Sequence, residues 1–245
     1  MALEPRYSAQ GHAIDRAGAG IDAGLRSYML RVYNYMALGV AFTGVIVLWM
    51  ANSPELLFTL AGGMMKWVLF AAVIGMGWFS PKILTMRSTI AAQGYFWAYC
   101  ALWGLMISPF VLYTLQTQHG VADVSRAFFI TSGMFAGASF FGYTTKKDMS
   151  AFGTFFLLAT IGLLIAMLVN AFLIESSMLS FGISALVVLV FAGITAYETQ
   201  MVKTMYREAP ADTVTKMAIF GALGLYGSFV VMFIHVLNMI GIMRD

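Results

Sequence analysis

The run "SSMLSFGISALVVLVFAGITAY" (176–197) carries no charged residue, and the chain continues as "ETQMVK" (198–203). A bilayer's hydrocarbon core is crossed by roughly 20 apolar residues in helical form. The run therefore reads as a membrane span, with Glu198 at its end as the one acid falling inside a long apolar segment. An acid costs a few kcal/mol at such a depth, so its presence asks for a reason.

The rest of the chain fits the same class. Of its 245 residues 60% are apolar and 10% charged, with a mean hydropathy of +0.83. A soluble domain carries about 25% charged residues, so this chain could not cover a water-facing surface. The expected fold is an all-α polytopic membrane protein. Seven spans are predicted over residues 30–50, 57–79, 89–113, 125–143, 151–173, 178–202 and 216–243. The second is interrupted by Gly62, Gly63 and Lys66, whose ammonium is expected to snorkel to an interface.

Residues 1–27 have no apolar core and no small-residue cleavage pattern, and read as a flexible polar tail ahead of a transmembrane domain at 28–245. Of the 14 basic residues, all but Lys66, Arg126 and Arg244 fall on this tail and on alternate loops. By the positive-inside rule the N-terminus is then cytoplasmic and the C-terminus outside. The loops are short and rich in turn formers, as in Asn52-Ser53-Pro54 and Ala209-Pro210-Ala211-Asp212. No soluble domain is inserted, and an odd number of spans disfavours two equal inverted halves.

Motifs of enzymatic chemistry are missing: no P-loop, no HExxH, no GxSxG and no paired acids on one span. Cys100 is alone, and His12, His119 and His235 lie in different segments, so no metal set, cofactor or nucleic-acid surface is indicated. GASFFG (137–142) suits close helix packing rather than nucleotide binding. Asn34, Gln93 and Asn170 are expected to hydrogen-bond between helices, and Ser108-Pro109 to kink the third span. The 19 methionines read as adaptable packing.

Two readings of Glu198 stay open. In one it is an interfacial carboxylate, about a turn inside the end of its span, reaching water or pairing with Lys203. In the other it is a proton- or cation-sensing group at a cytoplasmic gate, able to touch a calcium ion. The last span adds a clue. Gly221, Gly224, Ser228, His235 and Asn238 fall at offsets 0, 3, 7, 14 and 17, which places them on one helical face. A helix apolar elsewhere with one small and polar stripe suits a position among other helices. Gly224, His235 and Asn238 are the pore-lining candidates, although His235 is as readily a packed, hydrogen-bonded histidine.

FAGITAYETQ (191–200) strongly resembles the signature of the Bax inhibitor-1 family. FGYTTKKDMS (141–150), ALGLYGSFVVMF (222–233) and AAQGYFWAY (91–99) resemble further family stretches, and the likeness runs from about Arg26 to the C-terminus. The resemblance implies a seven-helix fold whose last helix is surrounded by the other six. It also implies, for some members, a pH-sensitive calcium leak. There, two acids on the sixth and seventh helices share a proton, with a basic latch nearby. Here Glu198 keeps the first acid position, Ser228 stands at the second, and the latch falls on Lys82 or alternatively Arg87. Without a second carboxylate, Glu198 titrates as a single group, and the shared-proton gate does not operate in its usual form.

The functional expectation is thus a passive, pH-modulated cation leak, with calcium as the expected ion, in a bacterial inner membrane. The alternative is a non-conducting regulator that binds other membrane proteins, such as a membrane protease, through its tail. A secondary transporter is disfavoured by the missing repeat.

Overall fold

The computed structural model describes residues 6–208 and 213–244, with side chains from residue 23 onward except Ala61 and Glu208. Residues 1–5 of the expected tail and the turn at 209–212 lie outside the described residues; residues 6–27, expected as tail, belong to the first helix. The described residues form helices only: α1 (Arg6–Met50), α2 (Pro54–Ala61), α3 (Met65–Trp78), α4 (Lys82–Thr85), α5 (Thr89–Leu115), α6 (Gly120–Thr144), α7 (Phe152–Val169), a π-helical turn (Asn170–Ile174), α8 (Ser177–Glu208) and α9 (Val214–Arg244). Six of them are long and apolar enough to cross a membrane, and α2 with α3 makes a seventh if that bent pair counts as one span.

That pair departs from the expected continuous helix over 57–79. Gly62 is extended and Gly63 takes φ 59°, a left-handed conformation that favours glycine, and the chain turns by 73° there. The short α4 was not foreseen either. Conversely, α5 carries on past Pro109 as one element. α8 runs beyond the expected end at 202 to Glu208. Glu198 therefore sits about 15 Å from the end of its helix.

α9 is the central helix. Of its most apolar stretch 61% is buried, against none for α7. It packs chiefly on α8, α1, α6 and α5, while α7 lies mainly against α8 and α3 mainly against α5. The predicted small-and-polar stripe is what makes this possible, since it faces α8 along its length. A Cβ on Gly221 would meet Val202, Ser228 meets Glu198, and Asn238 meets Ser180 and Ser184. Tyr226, fully buried in the same segment, ties α9 to α1 through its hydroxyl, 2.6 Å from Thr43 Oγ1. A buried tyrosine hydroxyl needs such a partner. Gln93 bonds Tyr35 between α5 and α1 at 2.9 Å, as expected. Asn34 instead is exposed, and Asn170 bonds within its own turn.

One buried acid escaped the sequence reading. Asp123, in the first turn of α6, is 2% exposed and accepts from Arg244 at 2.6 Å and from Arg126 at 3.3 Å. Arg244 also donates to Thr117 at 2.9 Å, so it joins the end of α9 to the α5–α6 corner. Removing one partner of a buried pair strands the other charge. Arg244→Gln should cost about 1–3 kcal/mol, less than a fully buried pair because the arginine is itself partly exposed. For a chain of this size the melting temperature should fall by about 2–10 °C, with Arg244→Lys losing less. An unchanged melting curve in detergent for Arg244→Gln would show that the clamp is idle.

Candidate functional site

Four stretches far apart in sequence meet around the second half of α8. Gly142 of α6 lies against the backbone of Ala196, so close that a Cβ there would overlap the Ala196 carbonyl. This is the close packing expected of GASFFG, and only one of its two glycines supplies it, since Gly137 faces open space. One turn away, Thr199 donates to Ser139 at 3.3 Å. Gln200 then clamps the α6–α7 loop with both ends of its amide. It donates to Lys147 O and accepts from Met149 N–H, each at 2.8 Å. In the same loop Asp148 accepts from the Ser150 N–H at 2.9 Å, which holds its carboxyl below the usual range. From the α5 stretch, Phe96 and Tyr99 pack their rings edge-on against Tyr226 of α9.

Gln200→Leu removes both loop contacts while keeping the side chain's bulk. The loop holds Lys146 and Lys147, so tryptic cleavage there should accelerate by about tenfold, as the open form becomes more populated. Cleavage at the wild-type rate would mean the loop is held by other means.

Glu198 stands at the centre of this meeting point. It is partly buried, and Ser228 Oγ donates to its Oε2 at 2.8 Å. Among the described residues Ser228 is its only hydrogen-bond partner. Gly224, one turn earlier on α9, leaves room for the other oxygen: a Cβ there would lie 2.9 Å from Oε1. The structure thus brings Glu198, Ser228 and Gly224 together, across the interface between α8 and α9.

No described cation forms an ion pair with Glu198. Lys203 is drawn away along α8, donating to Tyr143 O at 2.6 Å with its ammonium 4.8 Å from the tyrosine ring. The pairing with Lys203 held open from the sequence is therefore not made. Lys82 is not brought to the carboxylate either. It is exposed on α4, and its ammonium lies 4.6 Å from the Phe79 ring. Arg87 is likewise exposed, in the turn after α4.

The remaining candidates belong to a separate cluster. His235 Nδ1 lies 3.1 Å from Ser184 Oγ, and Asn238 Nδ2 donates to Ser184 and Ser180 at 3.0 and 3.2 Å. Both line a cavity of about 440 Å³. The serines on α8 were missed because their polarity is lost within an apolar run. Their spacing of four, one helical turn, is the signal that could have flagged them. Among the described residues no three histidine, cysteine or acidic side chains converge as a metal set would require.

Comparison with known proteins covers all four of these stretches. The family described as "Inhibitor of apoptosis-promoting Bax1" matches residues 25–245. The chain is 36% identical to an uncharacterized protein of Rickettsia prowazekii, over 91% of this chain and 93% of that one. An uncharacterized protein of Caulobacter vibrioides is 37% identical, over 94% of each chain. The Escherichia coli inner membrane protein YbhL is 36% identical, over 89% of this chain and 93% of its own.

Proposed function

The chain belongs to the Bax inhibitor-1 family of membrane proteins, and from that premise we propose that it is a passive, pH-modulated cation leak with calcium as the permeant ion, gated at Glu198. The observation that carries this reading is the contact between Glu198 and Ser228. It puts one ionisable group on the interface between α8 and α9, with a neutral hydroxyl as its only hydrogen-bond partner among the described residues. Acids at such depth face a bundle interior or a water path and mark ion routes. When Glu198 is ionised, Ser228 donates to it; when it is protonated, the acid itself becomes a donor. A change of charge thus alters both the attraction for a cation and the bond that joins α8 to α9.

In this reading the basic loops and the N-terminus lie in the cytoplasm, and the membrane is a bacterial inner membrane, as the name of the E. coli relative suggests. Neither a reaction nor a resident cofactor is part of the proposal. The test is calcium entry into liposomes that hold the purified protein, between about pH 5 and 8, where shifted carboxylates titrate. Uptake that varies with pH along a single-site curve is the expected result. Silence at every pH from a well-folded sample overturns it and leaves the non-conducting regulator as the better account.

A further inference from the structure

A second polar site lies further along the same two helices. From Ser228, His235 and Asn238 follow about 10 and 15 Å along α9. The stretch between holds buried apolar side chains: Phe229, Met232 and Val236 on α9, and Val187 and Val188 on α8. Beyond this belt the cavity of about 440 Å³ opens between the π-helical turn, the start of α8 and the last turns of α9. At roughly 30 Å³ per water, it accommodates an ion together with a full hydration shell.

The walls are built rather than incidental. Asn170 bonds both the N–H and the C=O of Ser176, at 3.1 and 3.2 Å, and accepts the Glu175 N–H on its own carbonyl at 2.7 Å. These bonds hold Glu175 at φ 53°, a left-handed conformation that a non-glycine residue keeps only where its surroundings fix it. Asn238 spends its amide N–H groups on Ser180 and Ser184, and His235 spends Nδ1 on Ser184. Among the described residues lining the cavity, Asn238 Oδ1, His235 Nε2, the Ser177 hydroxyl and the Glu175 carboxylate are left without a partner. Among the described residues Glu175 is also the only charged one lining the cavity.

We propose that this cavity binds a hydrated divalent cation of calcium's class, as the entry site of the leak. Its role as an entry rests on the leak reading; binding itself does not. A single carboxylate with amide and hydroxyl oxygens suits a hard cation, and without thiolate or a histidine pair it does not suit a soft one. So few charges hold an ion weakly and through water, as an entry site must if the ion is to move on.

Terbium, a calcium mimic, gives a readout that needs no flux. Trp67 stacks on Phe172 of the π-helical turn, ring centroids 5.3 Å apart, and is placed to sensitise its emission. With the full chain in vesicles of zwitterionic lipid, saturable emission displaced by calcium is expected. Glu175→Gln and Asn238→Leu should each weaken it by about tenfold or more, since the first removes the only carboxylate charge among the described lining residues and the second an amide oxygen facing the hydrated ion. Trp67→Phe should dim the emission without shifting the midpoint. Matching melting temperatures guard against misfolding. Emission that does not saturate, or affinities unmoved in both cavity variants, overturns the site. If the site binds terbium as stated while wild-type vesicles admit no calcium, the leak reading falls and the binding site stands. If vesicles leak while the cavity variants bind terbium normally, the leak stands and this inference falls.

Discussion

In liposomes, Glu198→Gln is expected to flatten the pH dependence of calcium entry, bringing the ratio of rates at about pH 5 and pH 8 close to one. The amide has the size of the acid and can still bond Ser228, so the joint between α8 and α9 survives while its charge does not. Ser228→Asp is the complementary change. It places a second carboxylate within the 2.8 Å contact now made by the hydroxyl. Two carboxylates so close cannot both ionise readily, and their protons leave in two separate steps that belong to the pair. The single-site pH curve of the wild type should therefore split into a broader, two-step profile. Should Glu198→Gln keep the wild-type curve, the carboxylate is not the sensor, whatever the absolute rate. Should the wild type be silent and Ser228→Asp conduct, the chain has kept the fold and lost the leak.

Much of this fold was legible because the signals were periodic. The uncharged run at 176–197 announced α8, and the stripe from Gly221 to Asn238 announced both the central place of α9 and the face it turns to α8. What escaped was set by contacts rather than by period. Asp123 fell outside the expected span at 125–143, and its partner Arg244 lies more than a hundred residues away. Lys203 looked like a partner for Glu198 because the two share a helix, yet five residues is more than one turn and Tyr143 takes its ammonium. Lys82 was placed by resemblance alone, and nothing in its own neighbourhood draws it to the carboxylate. The break after α2 was visible as a pair of glycines, but their sequence gives no bend angle. The outer cavity stayed hidden because Ser180, Ser184 and Glu175 become one site only when the π-helical turn folds them against α9.

The second large effect is expected at Gly142. Alanine there gains up to about 1 kcal/mol of helix propensity over glycine. That gain is outweighed, because the added Cβ meets the backbone carbonyl of Ala196 rather than a side chain that can swing aside. α6 and α8 must part, at an overpacking cost of about 1–3 kcal/mol or more, together with the bond between Ser139 and Thr199. Gly137, on the same helix but facing open space, is the control: Gly137→Ala should be neutral or slightly stabilising. Gly142→Ala should lower the melting temperature by several degrees, and Gly142→Leu should fail to yield a monodisperse sample. The functional consequence follows from spacing, since Ala196 precedes Glu198 by two residues and Thr199 follows it by one. A shift of α8 large enough to admit the methyl group moves the carboxylate relative to Ser228. Gly142→Ala should then lose pH dependence along with stability, whereas Gly137→Ala keeps both. Equal melting temperatures for the two alanine variants would show that the bundle yields at this contact, and that the position of Glu198 is fixed by α9 alone.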